Sequence, residues 1–152
     1  IGTTATIHSR AYETAIHRLD PAVKVFSQSC PLFVPLVEEG WLNGTISRQI
    51  AGKYLEPLTR QRIDTLILGC THYPLLTSTI QQVLGPGVAL VDSARQTALE
   101  VRGVLQGLDT LTDRRRRPRY RFFVTDDPTH FNRIGHRFLS QVVGSVERVN
   151  GR

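Results

Sequence analysis

Hydrophobic residues recur along this chain with two different periods. Short apolar runs typical of buried strands cover residues 23–27, 63–68, 88–91, 120–124 and 145–149. The segments between them carry apolar residues three or four positions apart, which predicts helices over residues 9–19, 47–60, 74–84, 94–108 and 127 to about 140. The pattern therefore predicts strands that alternate with helices.

Strands that alternate with helices pair side by side as parallel β-α-β units, because each helix returns the chain to the same edge of the sheet. The predicted fold class is α/β, with a parallel sheet between helices. In open sheets of this kind, ligands bind beyond the carboxyl ends of the strands. The turns 2–4, 28–31, 69–72 and 92–93 fall at that edge, so we expect them to line one pocket.

Proline and aspartate residues predict where some elements begin or break. Pro74 suits the first position of helix 74–84. Asp92, followed by Ser93, is typical of the N-cap of helix 94–108. Pro35 lies inside the apolar stretch 32–37, which we therefore interpret as a broken apolar segment.

The composition is that of a globular protein. The chain has 152 residues, of which 40% are hydrophobic, enough for one domain with its own core. No apolar run is long enough to span a bilayer, and no signal peptide is visible. Cys30 and Cys70 are too few for a disulfide framework, so we expect a reducing, cytoplasmic setting. The sequence contains no methionine, and we expect it to be a fragment of something longer.

The formal net charge is +6, and a single arginine-rich run from Arg114 to Arg121 carries nearly all of the excess. Such a run binds nucleic acid through phosphates in some proteins, which leaves a basic interaction module as an alternative function. A solvated loop is the favoured interpretation, because a single basic run without a recognised module is weak evidence for nucleic-acid binding. We therefore do not expect nucleic acid as a partner.

The residues best suited to a catalytic role lie in the turn after strand 63–68. Cys70 follows the strand and precedes a predicted helix, with His72 two positions later. A thiol at a helix N-terminus faces the positive end of the helix dipole, which favours the thiolate. The thiolate can act as a nucleophile, a metal ligand or a base. A cysteine and a histidine separated by one residue are not a usual zinc pattern, so we expect no metal.

The segment 69–74, Gly-Cys-Thr-His-Tyr-Pro, resembles the second cysteine motif of the glutamate racemases. Segments 2–7, 30–38, 91–94 and 122–126 also resemble signatures of that family, in the same order. The resemblance covers nearly the whole chain, and several motifs at matching spacing are far more specific than one hexapeptide.

The resemblance implies one half of a two-domain α/β enzyme. Residues 1–92 would form the second, catalytic domain, and residues 93–152 would be a tail that completes the first domain. The motifs of that first domain are absent from this sequence. The missing N-terminal racemase domain is therefore an expected partner. A fragment would expose the apolar surface that this domain covers, so self-association, including a homodimer, is also expected.

The resemblance also implies the reaction and its residues. Glutamate racemases interconvert L- and D-glutamate without a cofactor, using one cysteine from each domain as a base, and they supply D-glutamate for peptidoglycan. Cys70 would deprotonate L-glutamate, and His72 would stabilise the thiolate or assist proton transfer. Thr71 and His72 would hold the substrate, and Glu38 would assist the site, although Glu39 beside it leaves that assignment open. The fragment alone would be inactive.

Each of these assignments has a structural alternative. Cys70 could be a buried structural thiol, and His72 could only cap the turn. Glu38 could be a solvated charge at a helix end. Cys30 also follows a predicted strand, but it precedes Pro31, and the family has no catalytic thiol there. We therefore interpret Cys30 as structural.

Overall fold

The computed structural model describes residues 1–113, 119–139 and 144–151. The chain divides into two compact units, Ile1–Thr110 and Leu111–Arg152. The division predicted at residue 92 concerns a partner domain outside this sequence and stays a prediction.

The first unit alternates helices with short strands. Its elements are α1 Thr4–Ser9, α2 Ala11–Leu19, α3 Phe33–Glu39, α4 Thr45–Arg60, β1 Thr65–Leu68, a 3-10 turn Tyr73–Leu76, α5 Thr77–Leu84, β2 Ala89–Asp92 and α6 Ser93–Gly107. The second unit contains β3 Phe122–Val124, α7 Pro128–Leu139 and β4 Val146–Arg148. Both units have the predicted α/β character.

The sheet of the first unit is parallel, as predicted. β1 pairs with β2 in a register that places Thr65 opposite Ala89. On the other side of β1, the Gly69 amide donates to the Ile1 carbonyl oxygen at 2.9 Å. Gly2 in turn forms an isolated parallel bridge with Ser29. The segment before Ser29, Ile1–Gly2, β1 and β2 therefore lie side by side.

The core lies on one face of this sheet, under α3, α4 and α5. Its largest fully buried side chains include Tyr73, Phe33, Leu55 and Leu68. The ring of Phe33 meets the ring of Tyr73 edge to face, with centroids 5.2 Å apart. This cluster joins the helix that carries Glu38 to the turn that carries Cys70.

Three predicted elements differ from the structure. The strand predicted at 23–27 forms no ladder, and only Ser29 beyond it makes a bridge. The helix predicted at 9–19 is α2, which begins at Ala11, and a separate helix that was not predicted, α1, precedes it, because Arg10 between them adopts the left-handed conformation with φ 52°. The stretch 32–37 was predicted to be broken, yet Leu32 is the N-cap of α3 and residues 33–37 belong to that helix. Pro35 is the third residue of that helix, where the missing N–H has no intrahelical acceptor to lose.

The start of α6 confirms the predicted cap. The Asp92 side chain accepts hydrogen bonds from the Ala94 and Arg95 amides at 2.9 and 3.3 Å. No residue of α6 is buried. Its exposed large apolar side chains include Val101, Val104 and Leu105, which form a stripe with helical spacing together with the C-cap residue Leu108.

The second unit is a β-α-β arrangement. β3 and β4 are parallel, with Phe122 opposite Val146. The ring of Phe122 packs 5.8 Å from the ring of Phe131 on α7. Arg121 contacts Glu147 at 3.1 Å. Most of the arginine-rich run, residues 114–118, lies outside the described residues. In the part of the chain that the structure describes, no helix has the length and apolar character needed to cross a membrane.

Candidate active site

Neighbouring turns at the carboxyl edge of the first sheet come together, as the topology predicts. The Gly2 carbonyl accepts from the Cys30 amide at 2.9 Å, which joins two of these turns. The Ser93 hydroxyl donates to the Leu68 carbonyl at 3.1 Å, which joins the turn after β1 to the turn after β2. Because Gly69 also donates to Ile1, the turn that carries Cys70 has Ile1 on one side and the turn after β2 on the other.

His72 is the centre of the candidate site. Its Nδ1 lies 4.0 Å from the Cys70 Sγ and 3.4 Å from the Thr71 hydroxyl oxygen. Its Nε2 lies 3.4 Å from Glu38 Oε1. The imidazole therefore stands between a thiol and a carboxylate, with one ring nitrogen directed toward each. All four predicted site residues are within this one cluster.

The accessibility of these side chains suits a binding surface. The Cys70 residue is half-buried. The side chains of His72 and Glu38 are 24% and 34% exposed. Glu39, the neighbour that left the assignment open, is exposed at the end of α3. Glu38 is thus the glutamate of this pair that contacts the imidazole.

The secondary structure after Cys70 differs from the prediction. A 3-10 turn, Tyr73–Leu76, comes first, and the α-helix begins only at Thr77. The Tyr73 amide donates to the Cys70 carbonyl at 3.2 Å. Because the α-helix starts a full turn later than predicted, the effect of its dipole on the Cys70 thiol stays a prediction.

Tyr73 is a structural member of the site that the sequence reasoning missed. Its hydroxyl donates to the Cys30 carbonyl at 3.0 Å. Burial raises the pKa of Tyr73, which keeps the hydroxyl protonated as a donor. The hydrogen bond ties the turn before α3 to the turn that carries Cys70. The sequence signal that could have identified Tyr73 is its place in the apolar pattern of the core, because a tyrosine hydroxyl that is buried there needs a hydrogen-bond partner.

Cys30 is fully buried in the core, in agreement with a structural thiol. Its Sγ contacts the Gln28 carbonyl at 3.9 Å. Burial raises the pKa of the Cys30 thiol from 9.0 to about 12, because the apolar surroundings disfavour the thiolate. At neutral pH this sulfur is therefore protonated, which is a poor state for a base.

The raised pKa of Cys30 predicts a loss of stability at alkaline pH. The unfolded thiol releases its proton near pH 9, whereas the folded thiol holds it to about pH 12. Stability from this group is complete below pH 9 and falls as the pH rises, since the unfolded state then binds fewer protons. Urea unfolding should therefore lose about 2 kcal/mol more between pH 9 and 11 in the unaltered chain than in Cys30→Ala. Equal losses in the two proteins would contradict the buried, protonated thiol.

A groove in the first unit lies away from this site. It measures about 630 Å³ and runs beside residues 63–67, toward the amino end of β1. Among the described residues, no cluster of three or more His, Cys, Asp or Glu side chains could hold a metal ion. We assign the chemistry to the Cys70 turn, because Cys70, His72 and Glu38 meet there and none of them lines this groove.

Comparisons with known proteins identify relatives of the whole chain. A glutamate racemase of Syntrophus aciditrophicus is 51% identical over 149 residues, which cover 98% of this chain and 55% of that protein. A glutamate racemase of Geobacter metallireducens is 45% identical over 150 residues, which cover 99% of this chain and 56% of that protein. The chain thus spans about half the length of these relatives. No protein-family model matches it.

Solved structures of glutamate racemases also match nearly the whole chain. The glutamate racemase isoform RacE1 from Bacillus anthracis superposes with a TM-score of 0.88 at 42% identity, covering 98% of this chain and 55% of that one. The racemase from Francisella tularensis, solved in complex with D-glutamate, has a TM-score of 0.87 at 37% identity, covering 98% of this chain and 57% of that one.

The fold and these matches show that the chain has the α/β fold of the racemases. Within that class, it is homologous to a portion of the glutamate racemases, which are isomerases. The resemblance inferred from the cysteine motif is thereby confirmed.

Proposed function

We propose that this chain supplies one of two opposed cysteine bases of a cofactor-independent glutamate racemase. The observation that carries the proposal is the contact chain of Cys70, His72 and Glu38 at the carboxyl edge of the sheet. The identity of 51% to a glutamate racemase supports the choice of substrate, because it extends over nearly the whole chain.

The chemistry required is proton transfer at an α-carbon. The Cα hydrogen of glutamate is a very weak acid, so its removal needs a strong base that is close and poorly solvated. In the proposed step, the Cys70 thiolate takes this proton from L-glutamate, and the bonding electron pair stays on the carbon. A thiol on the opposite face returns a proton, which gives D-glutamate. Reversal of both transfers gives the reverse reaction.

His72 and Glu38 suit the preparation of this base. With Nε2 protonated and directed at the Glu38 carboxylate, the Nδ1 lone pair faces the Cys70 thiol. The imidazole can then accept the thiol proton and stabilise the thiolate as its counter-ion. Thr71 adds a hydroxyl beside Nδ1 and is exposed, so we assign it, together with His72, to substrate binding.

The second base belongs to a domain outside this sequence. Cys30 does not suit that role, since it is buried in the core. We propose that residues 1–92 form one catalytic domain and that residues 93–152 belong with its partner domain. The exposed apolar stripe of α6 supports this division, because such a stripe normally packs against another element. A homodimer and a cytoplasmic location stay predictions, as does the supply of D-glutamate for peptidoglycan.

A chimera tests the proposal. The chain is joined to the part of the Syntrophus aciditrophicus racemase that it does not cover, and the conversion of L-glutamate is followed by circular dichroism. We expect the chimera to racemise L-glutamate, whereas the chain alone should produce no D-glutamate because it lacks the opposed thiol. The parent racemase is the positive control. Turnover by the chain alone would mean that Cys30 or a second copy supplies the other base.

A further inference from the structure

Tyr73 is a fully buried side chain that the proposed reaction does not use. Its amide donates to the Cys70 carbonyl, which closes the turn that contains Cys70 and His72. Its hydroxyl leaves that turn and donates to the Cys30 carbonyl, 43 positions away in the chain, at 3.0 Å. Tyr73 therefore links the turn that carries the reactive groups to the segment directly before α3.

The Cys30 carbonyl accepts a second hydrogen bond, from the Phe33 amide at 3.1 Å. Phe33 is the first residue of α3, a helix of seven residues that also contains Glu38. A helix this short, about 10 Å from end to end, moves as one rigid piece. The point at which Tyr73 holds the Cys30 carbonyl therefore sets where Glu38 lies.

A second tyrosine holds the same end of α3 from a different element. The Leu32 amide donates to the Tyr54 hydroxyl at 3.3 Å. The ring of Phe33 meets the rings of Tyr54 and Tyr73 edge to face, with centroids 5.4 and 5.2 Å away. Tyr54 belongs to α4, whereas Tyr73 directly follows His72. The two hydroxyls thus make similar contacts, but that of Tyr73 alone of the two leads to the Cys70 turn.

The segment after α3 is held by other elements. The Ser47 hydroxyl of α4 donates to the Trp41 carbonyl at 2.7 Å, and the Thr79 hydroxyl of α5 donates to the Leu42 carbonyl at 2.6 Å. Both hydroxyl side chains are buried. These two bonds fix the far end of α3 to the body of the domain rather than to the Cys70 turn.

The contact that depends on this arrangement is a long one. Glu38 Oε1 lies 3.4 Å from His72 Nε2, near the outer limit for a hydrogen bond. A slightly larger separation would abolish it. The positive charge that His72 gains on accepting the Cys70 proton would then lack its carboxylate partner.

We propose that Tyr73 is a positioning residue, whose hydroxyl sets the distance between Glu38 and His72 and thereby the reactivity of the Cys70 thiol. The inference deepens the proposed function and rests on it, because it concerns the same base. Tyr73 acts through α3 and Glu38 and does not itself touch the substrate.

Alkylation of Cys70 by iodoacetamide at neutral pH, followed by mass spectrometry of the chain, tests the proposal. The reagent reacts with the thiolate, so the rate measures how well His72 and Glu38 support that form. Tyr73→Phe keeps the ring and removes only the hydroxyl, and we expect it to slow alkylation about fivefold. Tyr54→Phe is the matched control, because it removes a hydroxyl from the same end of α3, and its rate should stay within about twofold.

The direction of the change separates positioning from a merely structural role. Loosening of the fold would expose Cys70 further and admit the reagent to Cys30, which is fully buried. Alkylation would then become faster at both cysteines. Slower alkylation of Cys70, with Cys30 still unmodified, is expected only when the thiolate loses its support.

The Glu38→Gln variant tests the route of the effect. It should itself slow alkylation of Cys70, and adding Tyr73→Phe should slow it no further, because both changes remove the same contact. Unchanged or faster alkylation of Cys70 in Tyr73→Phe would overturn the proposal. Equal slowing in Tyr54→Phe, or further slowing in the double variant, would do the same.

Racemisation by the chimera provides the second measurement. Tyr73→Phe should lower kcat about fivefold and leave the KM for L-glutamate unchanged, since the hydroxyl prepares the base and does not bind the substrate. An active chimera whose kcat is insensitive to Tyr73→Phe would contradict the positioning role. An inactive chimera would contradict the proposed function instead, while the alkylation rates of the chain would still decide whether Tyr73 positions Glu38.

Discussion

In the chimera, Cys70→Ser should lower the exchange of the L-glutamate Cα proton about a thousandfold. A serine hydroxyl is far less acidic than a thiol, so neither His72 nor any other nearby group can hold it ionised at neutral pH. The loss is therefore expected in the chemical step rather than in folding. Deuterium incorporation at Cα in D₂O, followed by NMR, measures this step directly.

Cys30→Ala is the matched control for this prediction. Both substitutions remove a thiol, but Cys30 lies wholly in the core whereas Cys70 is half-buried at the sheet edge. Exchange should be little changed in Cys30→Ala, provided that circular dichroism shows the chimera to be folded. If Cys70→Ser retained the exchange rate of the unaltered chimera, Cys70 would not be the base.

The alternation of periods was enough to predict the fold class, and the turns at the strand ends were enough to predict which turns come together. Parallel topology brings the carboxyl ends of neighbouring strands to one edge, so Cys70 and the Cys30 turn had to be close. The cap at Asp92 was also predictable, because a short acidic side chain there satisfies free amides of the helix. These features depend on local sequence and on topology alone.

Other features depend on tertiary contacts that a local pattern does not contain. The 23–27 segment has a strand-forming sequence, but a ladder needs a neighbour at hydrogen-bond distance, and the groove beside it lacks one among the described residues. Pro35 was interpreted as a break, although a proline in the first helical turn costs no hydrogen bond. The choice of Glu38 over Glu39 needed the direction of α3 relative to the imidazole.

Gly69→Ala should reduce the free energy of unfolding of the chain by about 2–3 kcal/mol. A Cβ at this buried position would lie 2.7 Å from the Ile1 carbonyl oxygen and 3.0 Å from the Tyr12 ring. The backbone of Gly69 is not in the left-handed region, so the expected cost comes from these contacts and not from backbone strain. The nearest contact is a backbone atom that also accepts the Gly69 amide, and relief would require the strand end to move.

Gly52→Ala is the control, because it makes the same chemical change within α4, where a Cβ meets nothing within 4 Å. It should stabilise the chain by up to about 1 kcal/mol, since alanine favours helix over glycine. Urea unfolding of both variants measures the difference. In the chimera, Gly69→Ala should also slow racemisation, because movement of the strand end displaces Cys70 from the substrate carbon. If Gly69→Ala and Gly52→Ala were equally stable, the close packing of Ile1 against Gly69 would not be what positions the turn that carries Cys70.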